Sequence, residues 1–301
     1  MLLETEIWPN LIRACRARSV PLYLVNARMS ERSARGYARF GSFSAEMLAE
    51  LAGIAAQTRA DADRLSALGG TNVIICGNLK FDRSPRPQDI ELGKRFRAML
   101  GAKRVFLAAS TREGEEEPVL AALQRLAAHE LLTVIVPRHP QRFDSVARLL
   151  EQRGIAYQRR SSEQALQPAT QVWLGDSLGE MYAYYVACDI AFVGGSLVAL
   201  GGQNLLEACA LGKPVLIGPH TYNFAEATEL ALDAGAALRV QDPQDLGRTV
   251  EALLGDAARC ARMGEAGLNL MRQHQGAAQR IAAMLRPAAI KIQGAETGRA
   301  A

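Results

Sequence analysis

Short apolar runs alternate with longer segments of helical period along most of the chain, which is typical of parallel β-sheets flanked by helices. The apolar runs predict strands at residues 21–26, 72–76, 105–109, 132–136, 189–193 and 214–217. The periodic segments predict helices at residues 8–18, 33–51, 59–68, 115–129, 143–153, 180–187 and 204–211, with closing helices through residue 285. The predicted fold class is therefore α/β, with doubly wound sheets of the Rossmann type.

A proline-rich, charged stretch from Phe81 to Asp89 divides the chain into two unequal parts and predicts a linker. We predict one domain at residues 1–80, a second at residues 81–285, and a flexible tail at residues 286–301. The second part has about 200 residues, enough for a complete doubly wound domain, whereas the first has only about 80. Because the first part opens on a helix, we expect it to lack one or more βα units.

Composition excludes several classes of protein. Hydrophobic residues make up 49% of the chain and charged residues 22%, so packed cores are expected and disorder is not. The five cysteines and four histidines are scattered, and no CxxC pair occurs, so neither a disulfide framework nor a metal site is predicted. No apolar run is long enough to predict a membrane span. The net charge is only +4, and we expect no nucleic-acid partner.

The positive charge is concentrated near the amino terminus. Residues 1–40 contain seven arginines and three glutamates, so their excess of positive charge equals that of the whole chain. An anionic lipid or a phosphorylated acceptor would be attracted to such a surface. A solvated, arginine-rich helix face is the alternative interpretation.

Ligands of open α/β sheets bind beyond the carboxyl ends of the strands, and the residues after several predicted strands are suited to this. Ser110, Thr111 and Arg112 combine hydroxyl groups with a cation where a helix opens, which suits a phosphate. The acids that follow, residues 115–117, have a simpler interpretation as partners of the helix dipole. Arg138 and His139 lie between two prolines and indicate a phosphate or nucleotide contact, with a solvated loop as the alternative.

Glycines mark two further junctions. Gly179 would let a ligand approach the backbone closely, although Asp176 or Ser177 nearby could be only a helix cap. Between residues 192 and 219, the pairs Gly194-Gly195 and Gly201-Gly202 enclose a loop that leads into a helix. Glu207 lies one turn into that helix, where its carboxylate can accept hydrogen bonds from a ribose or sugar hydroxyl.

The first part of the chain contributes two more candidates. Lys80 follows the last predicted strand before the linker, and it is the cation best placed at the inter-domain cleft to meet a leaving phosphate. Glu4 and Glu6 precede a predicted helix start at Trp8-Pro9, so capping of the helix dipole is the alternative role for these acids.

Eight segments together resemble one known family over nearly the whole chain: the bacterial 3-deoxy-D-manno-octulosonic acid (Kdo) transferases of lipid A and lipopolysaccharide core assembly. The segments are ETEIWPNLI (4–12), NARMSERS (26–33), GNLKFD (77–82), ASTREGEE (109–116), PRHP (137–140), GDSLGE (175–180), GGSLVALGGQNLLE (194–207) and GPHTYNF (218–224). The resemblance implies a metal-independent GT-B glycosyltransferase without cofactors. Such an enzyme moves Kdo from CMP-Kdo to a phosphorylated lipid A precursor at the cytoplasmic face of the bacterial inner membrane, where this chain would be peripheral.

The resemblance also implies roles for individual residues. Glu6 and Lys80 would stabilise charge in the transition state and are the predicted catalytic residues. Strand-end chemistry and the resemblance together predict a CMP-Kdo site made of Ser110, Thr111, Arg112, Pro137, Arg138, His139, Leu178, Gly179, Glu180, Gly201, Gly202, Asn204, Leu205, Leu206 and Glu207.

This chain departs from the family pattern in two respects. Gln203 stands where the family usually has a histidine, and glutamine cannot titrate as histidine does. The family's general base is a glutamate that would lie upstream of Met1, so we expect this chain to bind CMP-Kdo but to transfer Kdo slowly or not at all. Two alternatives remain: a GT-B transferase or epimerase that uses a UDP-sugar, and a catalytically silent nucleotide-sugar-binding fragment.

Overall fold

The computed structural model describes residues 1–123, 126 and 131–286, which fold into two compact α/β units. The first unit is Met1–Asp82 together with His274 and the described residues after it; the second is Arg83–Gln273. Both sheets are parallel, which confirms the predicted fold class. Residues 287–301 of the predicted tail, and the last part of the helix predicted at 115–129, lie outside the described residues.

The first unit contains a four-stranded sheet in the order β1-β2-β3-β4. Its strands are β1 (Leu2–Leu3), β2 (Tyr23–Ala27), β3 (Gly53–Ala56) and β4 (Val73–Ile75). Its helices are α1 (Pro9–Ala17), α2 (Glu31–Ala38), α3 (Gly41–Ala49) and α4 (Arg59–Ala67), followed by a 3-10 turn at Leu79–Asp82. When consecutive strands are neighbours and their crossovers have one hand, the connecting helices cover the same face.

The core of the first unit reflects this arrangement. Leu24 and Ile54 face a large cluster that includes Ile12, Leu48 and Leu65 from the connecting helices. The opposite face is covered differently, because its strand side chains pack against Ile281 in the helical segment 277–286. This segment therefore belongs to the first unit, not to the second as the predicted domain boundary at residue 285 required.

Hydrogen bonds of Asp82 hold residues 276–286 against the first unit. Its two carboxylate oxygens accept hydrogen bonds from the backbone N–H groups of Gly276 (2.6 Å) and Ala278 (2.5 Å), which cap the helical segment 277–286. Arg280 adds a bond from its Nε to the Cys76 carbonyl oxygen (2.7 Å) at the end of β4. Both contacts fix the returning helix against the sheet edge.

The second unit contains a seven-stranded parallel sheet in the order β11-β10-β9-β5-β6-β8-β7. Its strands are β5 (Arg104–Thr111), β6 (Leu131–Pro137), β7 (Tyr157–Arg159), β8 (Val172–Leu174), β9 (Ile190–Val193), β10 (Val215–Ile217) and β11 (Ala237–Arg239). Its helices are α5 (Pro87–Leu100), α6 (Glu116–Leu123), α7 (Phe143–Gln152), α8 (Met181–Ala187), α9 (Leu206–Cys209), α10 (Ala225–Asp233), α11 (Pro243–Leu254) and α12 (Ala257–His274), whose last residue is already counted in the first unit.

Helices cover both faces of this larger sheet. On one face, α6, α7 and α11 pack against strand residues that include Phe106 and Phe192. On the other face, α5 and α8 meet β8 through the aromatic contacts of Phe96, Trp173 and Tyr184, with ring centroids 5.0–5.5 Å apart. The sheet is thus buried on both sides, and its carboxyl edge remains for a ligand.

Some predicted elements differ from the structure. The proline-rich stretch predicted as a linker already enters α5 at Pro87, since proline is compatible with the first turn of a helix. The single helix predicted at 33–51 is two helices, α2 and α3, separated by Arg39 and Phe40; Gly41, the first residue of α3, has a left-handed φ of +46°. In the described part of the chain, no helix is both long enough and apolar enough to cross a bilayer.

Candidate functional site

Four of the predicted site segments lie at one edge of the second sheet. Residues 110–112 end and follow β5, residues 137–139 end and follow β6, residues 175–180 follow β8, and residues 194–207 follow β9. These four strands are consecutive in the sheet order β9-β5-β6-β8, and all are parallel. After β5 the chain first builds the sheet on one side, beginning with β6, and then on the other side, beginning with β9. The gap between β5 and β9 is the topological switch point, where open α/β sheets bind ligands.

The end of β5 has an unusual backbone. Ser110 has a φ of +55°, in the left-handed region, and the register with β6 shifts between Ala109 and Thr111. Non-glycine residues in this region carry strain and are concentrated at functional sites. Arg112 then lies beside Gly195, because a Cβ on that glycine would be 3.3 Å from the Arg112 Cγ.

The loop after β6 is connected to both of its neighbours. The backbone N–H of Arg138 donates to the Thr111 carbonyl oxygen (2.9 Å), and its Nε donates to Oε1 of Gln203 (3.2 Å). The side chains of Arg138 and His139 are exposed, whereas Pro137 is buried as the last residue of β6. Arg138 is therefore a cation on the sheet edge, held beside the glycine-rich loop.

Glu207 lies at the start of α9 within a polar cluster. Its Oε1 accepts hydrogen bonds from Nδ2 of Asn204 (3.2 Å) and Nη1 of Arg83 (3.4 Å). Asn204 also caps α9, because its Oδ1 accepts a bond from the Leu206 N–H (3.1 Å). This cluster combines one carboxylate, one amide and one guanidinium, which can together recognise hydroxyl groups and an anion.

Burial raises the pKa of the Glu207 carboxyl, while Asn204 and the charges of Arg83 and Arg138 act in the opposite direction. The same burial affects Tyr182, whose pKa is raised to about 12, first by burial and then by the charge of Glu207. Its hydroxyl group is buried and has no hydrogen-bond partner among the described residues. The Glu207 cluster is thus a partly desolvated polar site, in which a bound hydroxyl would interact strongly.

The segment after β8 forms a second polar cluster. Glu180 accepts hydrogen bonds from the Ser177 hydroxyl (2.6 Å) and from Nη2 of Arg160 (3.1 Å), which lies immediately after β7. Leu178 is 71% exposed, and Gly179 has a φ of +78°. The backbone of this loop is therefore open to a ligand, while Glu180 is fixed by protein partners.

Besides Pro137, three predicted binding residues have buried side chains. Thr111, Leu205 and Leu206 are at most 1% exposed, and the Thr111 hydroxyl donates to Glu116 (2.8 Å). These residues can contact a ligand only through their backbone. Gly201 and Gly202 have φ values of +84° and +73°, so the loop that leads to Asn204 requires glycine at both positions.

The two predicted catalytic residues lie in the first unit. Glu6 is exposed in the turn after β1, where its N–H donates to the Leu3 carbonyl oxygen (3.1 Å). Lys80 lies in the 3-10 turn after β4, and its N–H donates to Oδ1 of Asn78 (3.0 Å). Buried Asn26 supports the same turn, because its Oδ1 accepts a bond from the Leu79 N–H (3.1 Å). The strand ends of the first unit are thus connected by polar side chains.

Sequence reasoning missed the role of the acids before α6. Glu115 and Glu116 are buried, and both accept hydrogen bonds across the site, so dipole compensation is not their main role. Glu116 also pairs with Arg142 (2.9 Å), just beyond the β6 loop. A signal was available: each acid lies four residues before an apolar residue of the buried helix face, Val119 and Leu120 respectively.

The fold and the edge of the second sheet define the class of protein. A family model described as "Glycosyl transferases group 1" matches residues 139–270. The fold is also similar to that of a UDP-GlcNAc 2-epimerase from Neisseria meningitidis, at a TM-score of 0.58 and 16% identity over 95% of this chain and 75% of that one. The fold of this chain is therefore of the GT-B class.

Two further comparisons identify the family. A 3-deoxy-D-manno-octulosonic acid transferase from Bordetella pertussis is 43% identical over 286 residues, which are 93% of this chain and 67% of the relative. The C-terminal CMP-Kdo binding domain of WaaA from Acinetobacter baumannii is 31% identical, with a TM-score of 0.59, over 62% of this chain and 99% of that one. A model described as "3-Deoxy-D-manno-octulosonic-acid transferase (kdotransferase)" matches residues 1–83. The chain therefore belongs to the Kdo transferase family.

Proposed function

We propose that this chain is a glycosyltransferase that moves Kdo from CMP-Kdo to a lipid A precursor in lipopolysaccharide biosynthesis, with the donor held by the second unit. The observation that carries this proposal is the 43% identity to a Kdo transferase over 93% of the chain. The similarity of the second unit to a domain that binds CMP-Kdo supports the same donor.

The polar clusters of the second unit divide the recognition of CMP between them. The carboxylate of Glu207 and the amide of Asn204 receive the ribose hydroxyls, since a partly buried carboxylate forms strong hydrogen bonds with such donors. Arg138 and Arg112 lie on the edge as cations for the phosphate. The open backbone at Leu178 and Gly179 receives the base.

Transfer breaks the bond between the anomeric carbon of Kdo and a phosphate oxygen, and it forms a bond from that carbon to the oxygen of an acceptor hydroxyl, which loses its proton. The departing CMP gains negative charge, which preorganised cations stabilise without reorganisation of water. Lys80 supplies such a cation and Glu6 a carboxylate on the first unit. Asn26 and Asn78 stabilise the turn that carries Lys80.

The acceptor is a membrane lipid, and the first unit has a surface suited to an anionic membrane. All seven arginines of residues 1–40 are exposed. Large apolar side chains are exposed in the same region: Trp8 (58%), Leu11 (46%), Phe40 (68%) and Phe43 (48%). Interleaved arginines and aromatic residues are typical of surfaces that bind the interface of anionic bilayers. We place this peripheral surface at the cytoplasmic face of the inner membrane.

Calorimetric titration with CMP and with UDP tests the proposed donor. We expect CMP to bind more tightly than UDP, and Glu207→Ala to weaken CMP by roughly tenfold or more, because a hydrogen bond to a charged group contributes about 1.5–3 kcal/mol. Glu226→Ala is a matched control, since Glu226 is an exposed acid in the first turn of another helix of the same unit.

Preference for UDP would contradict the Kdo transferase assignment and favour the UDP-sugar alternative. If Glu207→Ala and Glu226→Ala bound CMP equally well, the nucleotide site would have to lie elsewhere on the sheet edge.

A further inference from the structure

Glu115 is a fully buried carboxylate at the switch point of the second sheet, and it bonds two of the loops that form the candidate site. Its Oε2 accepts hydrogen bonds from the backbone N–H groups of Gly195 (2.6 Å) and Arg112 (3.1 Å). Its Oε1 accepts bonds from the N–H groups of Ser196 (3.1 Å) and Leu197 (3.0 Å). One side chain thus satisfies four backbone donors from the ends of β5 and β9.

Successive N–H groups that converge in this way form a nest, a backbone concavity that binds anions. Here the anion is part of the protein. Burial raises the pKa of the Glu115 carboxyl, and the four N–H donors oppose that effect by favouring the charged form. Since the carboxylate is inaccessible and its oxygens are occupied, Glu115 itself contacts no ligand.

The nest is connected directly to the glycine-rich loop. The carbonyl oxygen of Gly195 accepts a hydrogen bond from the N–H of Gly202 (2.7 Å), immediately before Gln203 and Asn204. Gln203 packs against Gly195, because a Cβ on that glycine would be 3.3 Å from the Gln203 Nε2. Ser196 in turn fixes the next strand end, since its Oγ accepts a bond from the Gly218 N–H (2.8 Å).

The backbone around the nest is also tightly packed. A Cβ on Gly194 would be 2.6 Å from the Ser110 carbonyl oxygen and 2.8 Å from Oε2 of Glu115. The loop therefore has little freedom to adopt another path while Glu115 remains in the nest. Its far end carries Asn204 and Glu207, which are hydrogen-bonded to each other (3.2 Å).

We propose that Glu115 is a positioning residue for the donor site: by occupying the nest at residues 195–197, it holds the glycine-rich loop so that Asn204 and Glu207 meet the nucleotide. This inference rests on the proposed binding of CMP by the second unit. It also assigns the donor phosphate to cationic side chains of the edge, because the nest amides are already taken.

Glu115→Gln tests the role of the second carboxylate oxygen. The glutamine oxygen can replace either Oε1 or Oε2, but the NH₂ group then faces the other pair of N–H donors. We expect CMP affinity to fall by about tenfold or more, because buried donors are left unsatisfied and the loop relaxes. Glu117→Gln is the control: Glu117 is 62% exposed, lies two residues away and carries the same charge.

A double variant separates positioning from general destabilisation. If Glu115 acts through the 204–207 segment, Glu115→Gln combined with Glu207→Ala should bind CMP about as weakly as Glu207→Ala alone, because coupled residues are not additive. Losses that multiply would overturn the proposal. So would Glu115→Gln binding CMP as tightly as the wild-type chain. If the wild-type chain itself bound no CMP, the proposed function would be wrong instead.

Hydrogen exchange of the ligand-free wild-type chain keeps the inference testable even if Glu115→Gln does not fold. The amides of Gly195, Ser196 and Leu197 should exchange as slowly as those of the neighbouring strand β9, since all three donate to a buried acceptor. Rapid exchange at these three amides, with slow exchange in β9, would show that the nest is not occupied by Glu115 in solution.

Discussion

The two units of this protein are built from the same βα elements but present different surfaces. Of the large apolar side chains exposed in the described residues, nine are in the first unit and three, Met99, Leu178 and Tyr222, are in the second. The second unit covers both faces of its sheet with helices, whereas the first covers one face with four helices and the other with residues 277–286. The second unit thus exposes a polar edge, and the first exposes apolar and cationic surface.

Under the proposed function, the second unit meets the requirements of the donor and the first unit meets those of the acceptor. A nucleotide is recognised by a few polar groups in fixed positions, which needs loops held by buried contacts such as those of Glu115. A lipid in a membrane is met by a surface of arginines and exposed aromatic residues, for which exact positions matter less. Three experiments test whether the two units differ in this way.

We expect the strongest effect on stability from the packing at the carboxyl edge of the second sheet. A Cβ on Gly218 would overlap the carbonyl group of Ser196, so Gly218→Ala requires a backbone shift beside the nest. We expect a loss of about 3 kcal/mol in the free energy of unfolding, because overpacking in a rigid region is poorly relieved. Thermal unfolding followed by circular dichroism measures it.

Gly36→Ala in α2 of the first unit is the matched variant. A Cβ there meets nothing within 4 Å, and the residue is helical, so the substitution should stabilise by about 0.5–1 kcal/mol. Equal effects of the two substitutions would show that the backbone beside the Glu115 nest is not as tightly packed as we describe.

A second prediction concerns the pH dependence of CMP binding. Burial raises the pKa of Glu207 above its usual 4.5, so this carboxylate takes up its proton at a higher pH than an exposed glutamate. Protonation removes charge-assisted acceptors, and we expect affinity to fall by about tenfold as the pH falls through the raised pKa. Titrations at several pH values should compare wild type with Glu207→Gln, because the phosphate of CMP also titrates. A constant ratio of the two affinities would exclude the carboxylate from recognition.

The smallest effect is expected at the membrane surface. Binding to vesicles that contain phosphatidylglycerol should weaken about fivefold in Arg35→Gln, since each arginine near an anionic surface contributes about 1 kcal/mol. Arg248→Gln in the second unit is the matched control, because Arg248 is similarly exposed (69% against 73% for Arg35) and its loss also breaks an ion pair within a helix. This variant should bind the vesicles as tightly as the wild-type chain. Added salt should remove the difference. Equal vesicle binding by the two variants would contradict a membrane-binding role and favour the alternative, a solvated helix face.

The periodicity of the sequence predicted the long elements well. The strand predicted at 132–136 lies within β6, and the helix predicted at 143–153 corresponds to α7, since both have regular patterns and clear ends. Short strands were missed: β3 is Gly-Ile-Ala-Ala, with only one of the β-branched residues that mark strands, and β7 is polar and lies at the sheet edge. These strands depend on tertiary pairing more than on local preference.

The candidate site was predictable to the extent that it follows strand ends. Arg138 and Glu207 were predicted because the carboxyl edge of a parallel sheet is where ligands bind, and Asn204 because of the family resemblance. All three lie after strands at that edge, and their contact with a ligand stays a prediction. The position of Glu115 before the buried helix face was a signal for its burial, but its role was missed because three of its four partners are backbone groups about 80 residues away, which a sequence pattern does not reveal. The return of residues 274–286 to the first unit was missed for a similar reason, since it depends on capping by Asp82.

Hydrogen exchange of the whole chain with and without saturating CMP shows which unit binds the nucleotide, because it reports on both units at once. The account predicts slower exchange at the strand ends of the second unit, above all at residues 178–180 and 201–207, and little change in residues 1–82 beyond the turn that carries Lys80. Protection confined to the first unit, with none at residues 201–207, would contradict the assignment of the CMP site.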